Sequence, residues 1–316
     1  MTYPASAGTV NYAYDTAGRI DSISDWASRT TTYTYDAASR VTDIERPGDL
    51  LTEIAYDALD RPLDVDHSVD GTPTLSQAYT YDENGNLATY GDDAGSATFT
   101  YDDLDRLTQA AFPSSQTYTY GYDSVGNLTS ATKPGAGTTT LAYDLADRIT
   151  TSGYTYDANG ALTADPTRTY AYDAFGRLAS STVGATTTTY TLDGAGRRLA
   201  ETTGVTTTSF DLDLRAPLAT ILADGTRTYL PGDPAAGYAQ GGTWYSALTD
   251  QLGSAHSTIS QSGVQSAITR WDPHGAARPG SSVGAGIGYA GEWRDPTGLI
   301  DLRARAYDPA LGRFTS

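Results

Sequence analysis

The stretch Tyr12-Ala13-Tyr14-Asp15-Thr16-Ala17-Gly18-Arg19-Ile20 decides how this 316-residue chain folds. Tyr12 and Tyr14 are two positions apart, so in an extended strand they share a face while Ala13 points the other way. Asp15 opens a turn, its carboxylate placed to accept backbone N–H groups, and Gly18 supplies the positive φ that lets the chain reverse. Arg19 and Ile20 begin a return strand. The unit therefore reads as a β-hairpin.

The pattern recurs, with the Tyr-Asp pair at Tyr14-Asp15, Tyr35-Asp36, Tyr56-Asp57, Tyr81-Asp82, Tyr101-Asp102, Tyr122-Asp123, Tyr143-Asp144, Tyr156-Asp157 and Tyr172-Asp173, and a weaker copy at Asp193. Successive aspartates are 21, 21, 25, 20, 21, 21, 13, 16 and 20 residues apart, a period that marks a repeat architecture. Where glycine is missing from the turn, Ser39, Asp60, Asp105 or Asp147 takes its place, residues with short polar side chains. One unit cannot stand alone. Ordering some 21 residues costs about 30 kcal/mol, whereas two tyrosines and a leucine recover roughly 2 to 3 kcal/mol each. Hairpins must therefore pair edge to edge, and the fixed hand of β-twist makes a long sheet coil on itself.

Composition agrees. Gly 33 and Tyr 24 stand against Phe 5, Met 1, no cysteine and a single lysine, Lys133, which favours short strands and tight turns over helices. The absence of cysteine removes disulfides and thiolate metal sites. The three histidines, His67, His256 and His274, are too scattered in sequence to suggest zinc, and no cofactor or metal site is expected. Asp64-Val65-Asp66 with Asp70-Gly71 lacks the oxygens and closing glutamate of a calcium loop. A net charge of −18 opposes nucleic-acid binding. No signal peptide is read at Met1-Thr2-Tyr3-Pro4, and the run Ala216 to Ala223 is too short to span a bilayer.

After about Asp211 the repeat gives way to a non-repeating series. It runs YLPGD from Tyr229, WYSALTDQLGS from Trp244 with Asp250 and Gly253, and RWDPHG from Arg270 with Asp272, Pro273 and Gly275. It ends with YAGEWRDPTGLIDLRARAYDPALGRF from Tyr289, carrying Asp295, Gly298, Leu299, Arg303, Arg305, Tyr307, Asp308, Gly312, Arg313 and Phe314. Ten Tyr-Asp units followed by this series resemble the RHS/YD-repeat family, which includes bacterial polymorphic toxins, the C subunit of Tc insecticidal toxin complexes, wall-associated bacterial proteins and the teneurins. The resemblance implies an all-β fold: an array of YD hairpins (1–210) forming a long coiled sheet, a spiral shell or barrel, with an RHS core segment (211–316) capping it and continuous with the same sheet.

The resemblance also implies a function, that of a shell enclosing a C-terminal effector polypeptide or docking on a delivery-complex subunit, in a larger protein that is secreted or at the cell surface. In the toxin branch the core acts as an aspartyl autoprotease. Asp295 matches one catalytic aspartate, and the second follows Gly-Arg-Phe, beyond Gly312-Arg313-Phe314-Thr315-Ser316. A dyad needs two carboxyl groups, so the chain is expected to be inactive unless Asp301 or Asp308 substitutes. Another reading is an adhesion or carbohydrate-binding module using the tyrosine ladder as a stacking platform. Asp250, Ser254 and His256 invite a hydrolase reading, but Gly253-Ser254-Ala255 does not complete a nucleophile elbow. Arg303, Arg305 and Arg313 are expected to pair with carboxylates.

Overall fold

The structure, a computed structural model, describes residues 2–3, 8–215, 219–230, 237–281 and 283–316. Residues 231–233 of the YLPGD stretch and 216–218 of the apolar run lie outside the described residues.

Each aspartate builds its own turn. Asp15 Oδ1 accepts the N–H groups of Ala17 and Arg19 at 2.9 Å, and Oδ2 accepts Nε–H of Arg19 at 2.7 Å. Gly18 sits at φ +80°, and Ser39, Asp60, Asp105 and Asp147 take the same left-handed conformation at +68°, +64°, +58° and +58°. The arginine chelate repeats at Asp36, Asp57, Asp102, Asp144, Asp173 and Asp193, while Asp82 and Asp123 use Asn86 and Asn127. The Arg40 backbone N–H and guanidinium hold Asp36 below the usual carboxylate range. A further turn, Asp25 to Arg29, makes the same bonds, with Ser28 at φ +60°. It lacks the preceding tyrosine, so the Tyr-Asp pattern misses it, although Asp-x-x-Ser-Arg is shared with Asp36 to Arg40.

In six units the second tyrosine fastens one hairpin to the one before. Tyr35 donates its hydroxyl to the Ile20 carbonyl at 2.7 Å, and Tyr56, Tyr81, Tyr101, Tyr122 and Tyr143 do the same to Val41, Pro62, Leu87, Leu107 and Leu128 at 2.8–2.9 Å. Where the preceding turn carries arginine, the guanidinium lies over the tyrosine ring: Arg19 over Tyr35 at 4.4 Å, Arg61 over Tyr81 at 4.5 Å, Arg106 over Tyr122 at 4.8 Å. The opposite face is polar, with threonine hydroxyls paired across strands, as at Thr80–Thr89 and Thr182–Thr187.

The strands run antiparallel and in chain order through five sheets. A pair, Thr2–Tyr3 with Gly8–Thr9, precedes a 13-stranded sheet from Asn11–Tyr14 to Gly137–Thr140. A 7-stranded sheet from Thr155–Tyr156 to Thr206–Ser209 follows, then a 6-stranded one from Asp211–Asp213 to Ala255–Ser260, and a 5-stranded one from Gly286–Ile287 to Arg313–Phe314. The single long sheet expected from the repeat is thus divided, and among the described residues no sheet pairs its first strand with its last, so none closes into a barrel. The first break falls where the aspartate spacing drops to 13. Between Asp144 and Asp157 there is too little chain for two strands, a lone Tyr143–Ile149 bridge remains, and the Tyr156 hydroxyl accepts the Ile149 N–H instead of reaching a carbonyl. The break before Asp211 is one residue, Phe210, whose ring packs edge-on against Trp293 at 4.8 Å.

The tyrosine face is covered by the C-terminal third. Val10 and Ile23 pack with Leu222, Leu230 and Trp244; Leu50 and Leu75 with Leu248 and Ile259; Leu162 and Tyr170 with Leu299 and Ala306. His67 joins the repeat sheet to the C-terminal third: its Nε2–H donates to the Thr249 carbonyl at 2.9 Å, and its Nδ1 accepts the Thr52 hydroxyl at 2.8 Å, which in turn accepts Arg46 Nη1–H at 2.6 Å. Burial pulls the His67 imidazole down to about 4.

Two measurements check this packing. Tyr122→Phe removes one hydroxyl-to-carbonyl bond while keeping the ring, and equilibrium unfolding should show a loss of about 1 kcal/mol. Because the fold keeps His67 neutral, its contribution to stability grows as pH rises from about 4 to 6.5 and is lost on acidification. Wild type should therefore gain about 3 kcal/mol relative to His67→Gln across that window in urea titrations.

Candidate functional site

The signature aspartates of the C-terminal third form the turn already seen in the repeats. Asp250 Oδ1 accepts the N–H groups of Leu252 and Ser254, Asp272 those of His274 and Ala276, and Asp295 those of Thr297 and Leu299, all at 2.8–3.1 Å. Gly253, Gly275 and Gly298 occupy the left-handed fourth position. Gly275 is also required for space, since a Cβ there would stand 2.5 Å from the Tyr289 ring.

The difference lies one residue later. In most repeat turns the residue four after aspartate is Arg or Asn and takes the second carboxylate oxygen, whereas in these three it is Ser254, Ala276 or Leu299, none of whose side chains takes it. The freed oxygen reaches elsewhere. Asp272 Oδ2 receives Nζ of Lys133, the only lysine, at 3.3 Å, and that ammonium also donates to the carbonyls of Pro309 and Ala310. Asp295 Oδ2 receives the Tyr190 hydroxyl at 2.5 Å, and Asp250 Oδ2 faces His256 Nε2 at 3.2 Å. Asp308, whose Oδ1 accepts Ala310 N–H, uses Oδ2 for Arg168 Nη1 at 2.5 Å.

Asp295 stands at the centre of the densest of these networks and is fully buried. Thr297 Oγ1–H donates to its Oδ1 at 2.7 Å, and Ser181 bridges Thr297 to Tyr190 through hydroxyl contacts of 2.9 and 2.8 Å. Arg198 lies over the Tyr190 ring at 4.1 Å and is shared among Glu201 (3.3 Å), Asp301 (3.3 Å) and Asp295 (3.9 Å). Trp293 Nε1–H donates to both Glu201 oxygens at 3.2 Å. One guanidinium cannot keep three buried carboxylates ionised at no cost. Burial pushes Glu201 up to about 7 and raises Asp301, in each case against the pull of Arg198. A cleft beside this cluster is lined by Phe210, Leu212, Ile221, Glu292, Trp293 and Asp301. Both Asp295 oxygens accept hydrogen bonds, and among the described residues no other carboxyl group bonds to it, so Asp295 is not placed as half of a proton-sharing pair.

The other signature residues are placed as follows. Leu299 is buried in the core under Tyr170, and the Pro273 carbonyl accepts the Tyr289 hydroxyl at 3.3 Å. Gly312 lies against the His274 ring, and Tyr307 packs edge-on against Phe314 at 5.7 Å. Of the arginines expected to pair with carboxylates, Arg303 does so with Glu292 at 3.1 Å. Arg305 instead covers the Phe314 ring at 3.7 Å, and Arg313 lies 6.0 Å from the Tyr143 ring. Asp301 joins the Arg198 cluster while Asp308 is held apart on Arg168. Ser254 Oγ accepts the Ala290 N–H at 3.0 Å and does not engage His256, so the Asp250, Ser254 and His256 residues make no nucleophilic triad. Besides the Asp25 turn, two further hairpin turns escaped the repeat pattern. Asp165 and Asp224 each accept the N–H groups of the Thr and Arg two and three residues on, and the hydroxyl of Tyr170 or Tyr229, and Asp-x-Thr-Arg-Thr-Tyr is the signal for both.

Stacked YD hairpins locked by a C-terminal segment define a class of shell-forming β-repeat folds, and comparison with known proteins agrees. A model of the teneurin YD-shell matches residues 89–210. The Tc holotoxin pore of Photorhabdus luminescens, with a mutated TccC3, superposes with a TM-score of 0.77 at 20% identity, over 97% of this chain and 19% of that one. TcdB2-TccC3 without its hypervariable C-terminal region gives 0.75 at 19% identity, over 97% and 20%, and TcdB2-TccC3 itself gives 0.74 at 18% identity, over 97% and 20%. The chain spans about a fifth of the length of these solved chains. No curated protein matches it by sequence. Residues 89–210 thus match the teneurin YD-shell family, and the fold of the chain as a whole is that of the TcdB2-TccC3 structures.

Glu201 offers a test of the buried network. The fold binds its proton more tightly than the unfolded chain does, so its contribution to stability is complete below the unfolded value of 4.5 and is lost as pH rises to about 7. Relative to Glu201→Gln, wild type should lose about 3 kcal/mol between pH 4.5 and 7, read from paired melting curves.

Proposed function

We propose that this chain is a wall-and-core segment of a toxin-delivery shell, residues 1–210 forming the YD wall and residues 211–316 the core that locks it. Its partner is an effector polypeptide following the core, or a delivery-complex subunit, and it works as part of a larger secreted or surface protein. The observation that carries this reading is the diversion of Asp272, Asp295 and Asp308 onto Lys133, Tyr190 and Arg168, which ties the core across the inner face of the wall. Such a lock fits a container whose end must stay closed. The solved assemblies with this fold include a complex named for TcdB2, TccC3 and Cdc42, which supports a delivery role. Among the described residues no helix is long and apolar enough to cross a membrane.

A stacking platform for glycans is less well supported. Tyr79 is 3% exposed, and Tyr81 lies under Arg61 with its hydroxyl on Pro62 and Gln251. Autoproteolysis would require Asp295 to surrender hydrogen bonds that now hold both its oxygens.

The test is limited proteolysis of the full-length protein with its natural downstream sequence. Polypeptide beyond Ser316 should survive protease concentrations that degrade it when expressed alone, and Lys133→Ala with Arg168→Ala should expose it. Full accessibility in the unaltered protein would refute the shell reading, and glycan-array signals abolished by Tyr79→Ala and Tyr81→Ala would replace it with the adhesion reading.

A further inference from the structure

Tyr35, Tyr56, Tyr81 and Tyr122 each lie under the arginine of the hairpin before, with 4.4–4.8 Å between guanidinium carbon and ring centre. Two turns carry asparagine at that position instead, Asn86 ahead of Tyr101 and Asn127 ahead of Tyr143. At Tyr143 a guanidinium arrives from outside the repeat, that of Arg313 at 6.0 Å. At Tyr101 none arrives among the described residues, and Tyr101 lines a cavity.

That cavity, of about 220 Å³, lies beside the exposed Leu252. Its aromatic wall is formed by Tyr79, Tyr90, Phe99, Tyr101, Trp271 and Tyr289, drawn from both the repeat sheet and the core. Among the described residues no cation lies over any of these six rings. Phe112, in the same wall, is already covered by Arg278 at 3.8 Å. Two carboxylates share the lining. Asp272 is answered by Lys133 at 3.3 Å. Asp250 has no lysine or arginine partner among the described residues: its Oδ1 is taken by the N–H groups of Leu252 and Ser254, and its Oδ2 by Nε2–H of His256. That bond leaves His256 Nδ1 as an acceptor, and it is buried and meets no donor. Open π faces, an acid without a cation and an acceptor without a donor together suit a ligand that is positively charged and only donates.

We propose that this cavity is a binding site for a guanidinium group on an alkyl chain, seated against Tyr101 with Asp250 as its counter-charge. Guanidinium suits the site better than ammonium because it is planar and weakly hydrated, and it is the cation this chain already places over four repeat tyrosines. The site is independent of what the shell encloses.

The probe is ethylguanidinium, titrated into the full chain and followed through the ring signals of Tyr101 in NMR spectra. It should bind roughly tenfold more tightly than ethylurea, its neutral isostere. Asn86→Arg supplies the missing guanidinium from the chain itself, so it should keep the melting temperature while weakening ethylguanidinium binding by roughly tenfold or more. Asp250→Asn keeps an oxygen to close the turn and removes the charge, and should weaken binding by roughly fivefold. Acetyl-Gly-Arg-Gly-amide binding as tightly as ethylguanidinium would assign the site to an arginine side chain, and its exclusion would assign it to a free guanidine. Ethylguanidinium that leaves the Tyr101 signals unmoved, binds no better than ethylurea, or binds Asn86→Arg as it binds wild type would overturn the proposal.

Discussion

A carboxylate has two oxygens, and this fold depends on what each of them does. In the repeat turns and in those of Asp250, Asp272 and Asp295, one closes the turn, accepting two backbone N–H groups and fixing the reversal of the chain. The other is available, and the residue four positions on determines its use. Arg19 keeps the second oxygen of Asp15 within the hairpin, while Leu299 leaves that of Asp295 to be claimed by Tyr190 from the wall. The same five-residue turn thus serves as an independent module in the repeats and as a tether in the core.

Charge follows from this arrangement. A chain with a formal charge of −18 would be expected to repel itself, yet much of its acid is paired within four residues of where it arises. Such exposed pairs contribute little individually to stability. Their importance is geometric, because Arg19, Arg40, Arg61 and Arg106, each held by its aspartate, are also held over the tyrosine ring of the next hairpin, coupling turn to turn along the sheet. The buried cluster around Arg198 is the exception. There acids outnumber the cation, and the imbalance appears as the raised Glu201 and Asp301.

The hairpin could be read from the sequence because everything that makes it lies within nine residues. Tyr-Asp spacing announced the strands, and the glycine position announced the left-handed residue, down to the serines and aspartates that replace it. Three things could not be read that way. The Asp25 turn lacks its tyrosine. The division of the sheet depends on whether thirteen residues can hold two strands. The tethers join residues far apart along the chain, 139 positions for Lys133 with Asp272 and 105 for Tyr190 with Asp295, a distance over which periodicity carries no information. Only the missing arginine four residues after each core aspartate hints that a partner must come from elsewhere.

That same position separates what can be copied from what cannot. A hairpin whose aspartate is satisfied internally closes its own turn without help from distant sequence, so the turn can recur unchanged along the chain even though its core face packs on the C-terminal third. A core turn that depends on Lys133, Arg168 or Tyr190 is bound to a particular place along the wall. The turn of the wall is therefore repeatable, while the segment that locks it must keep its address.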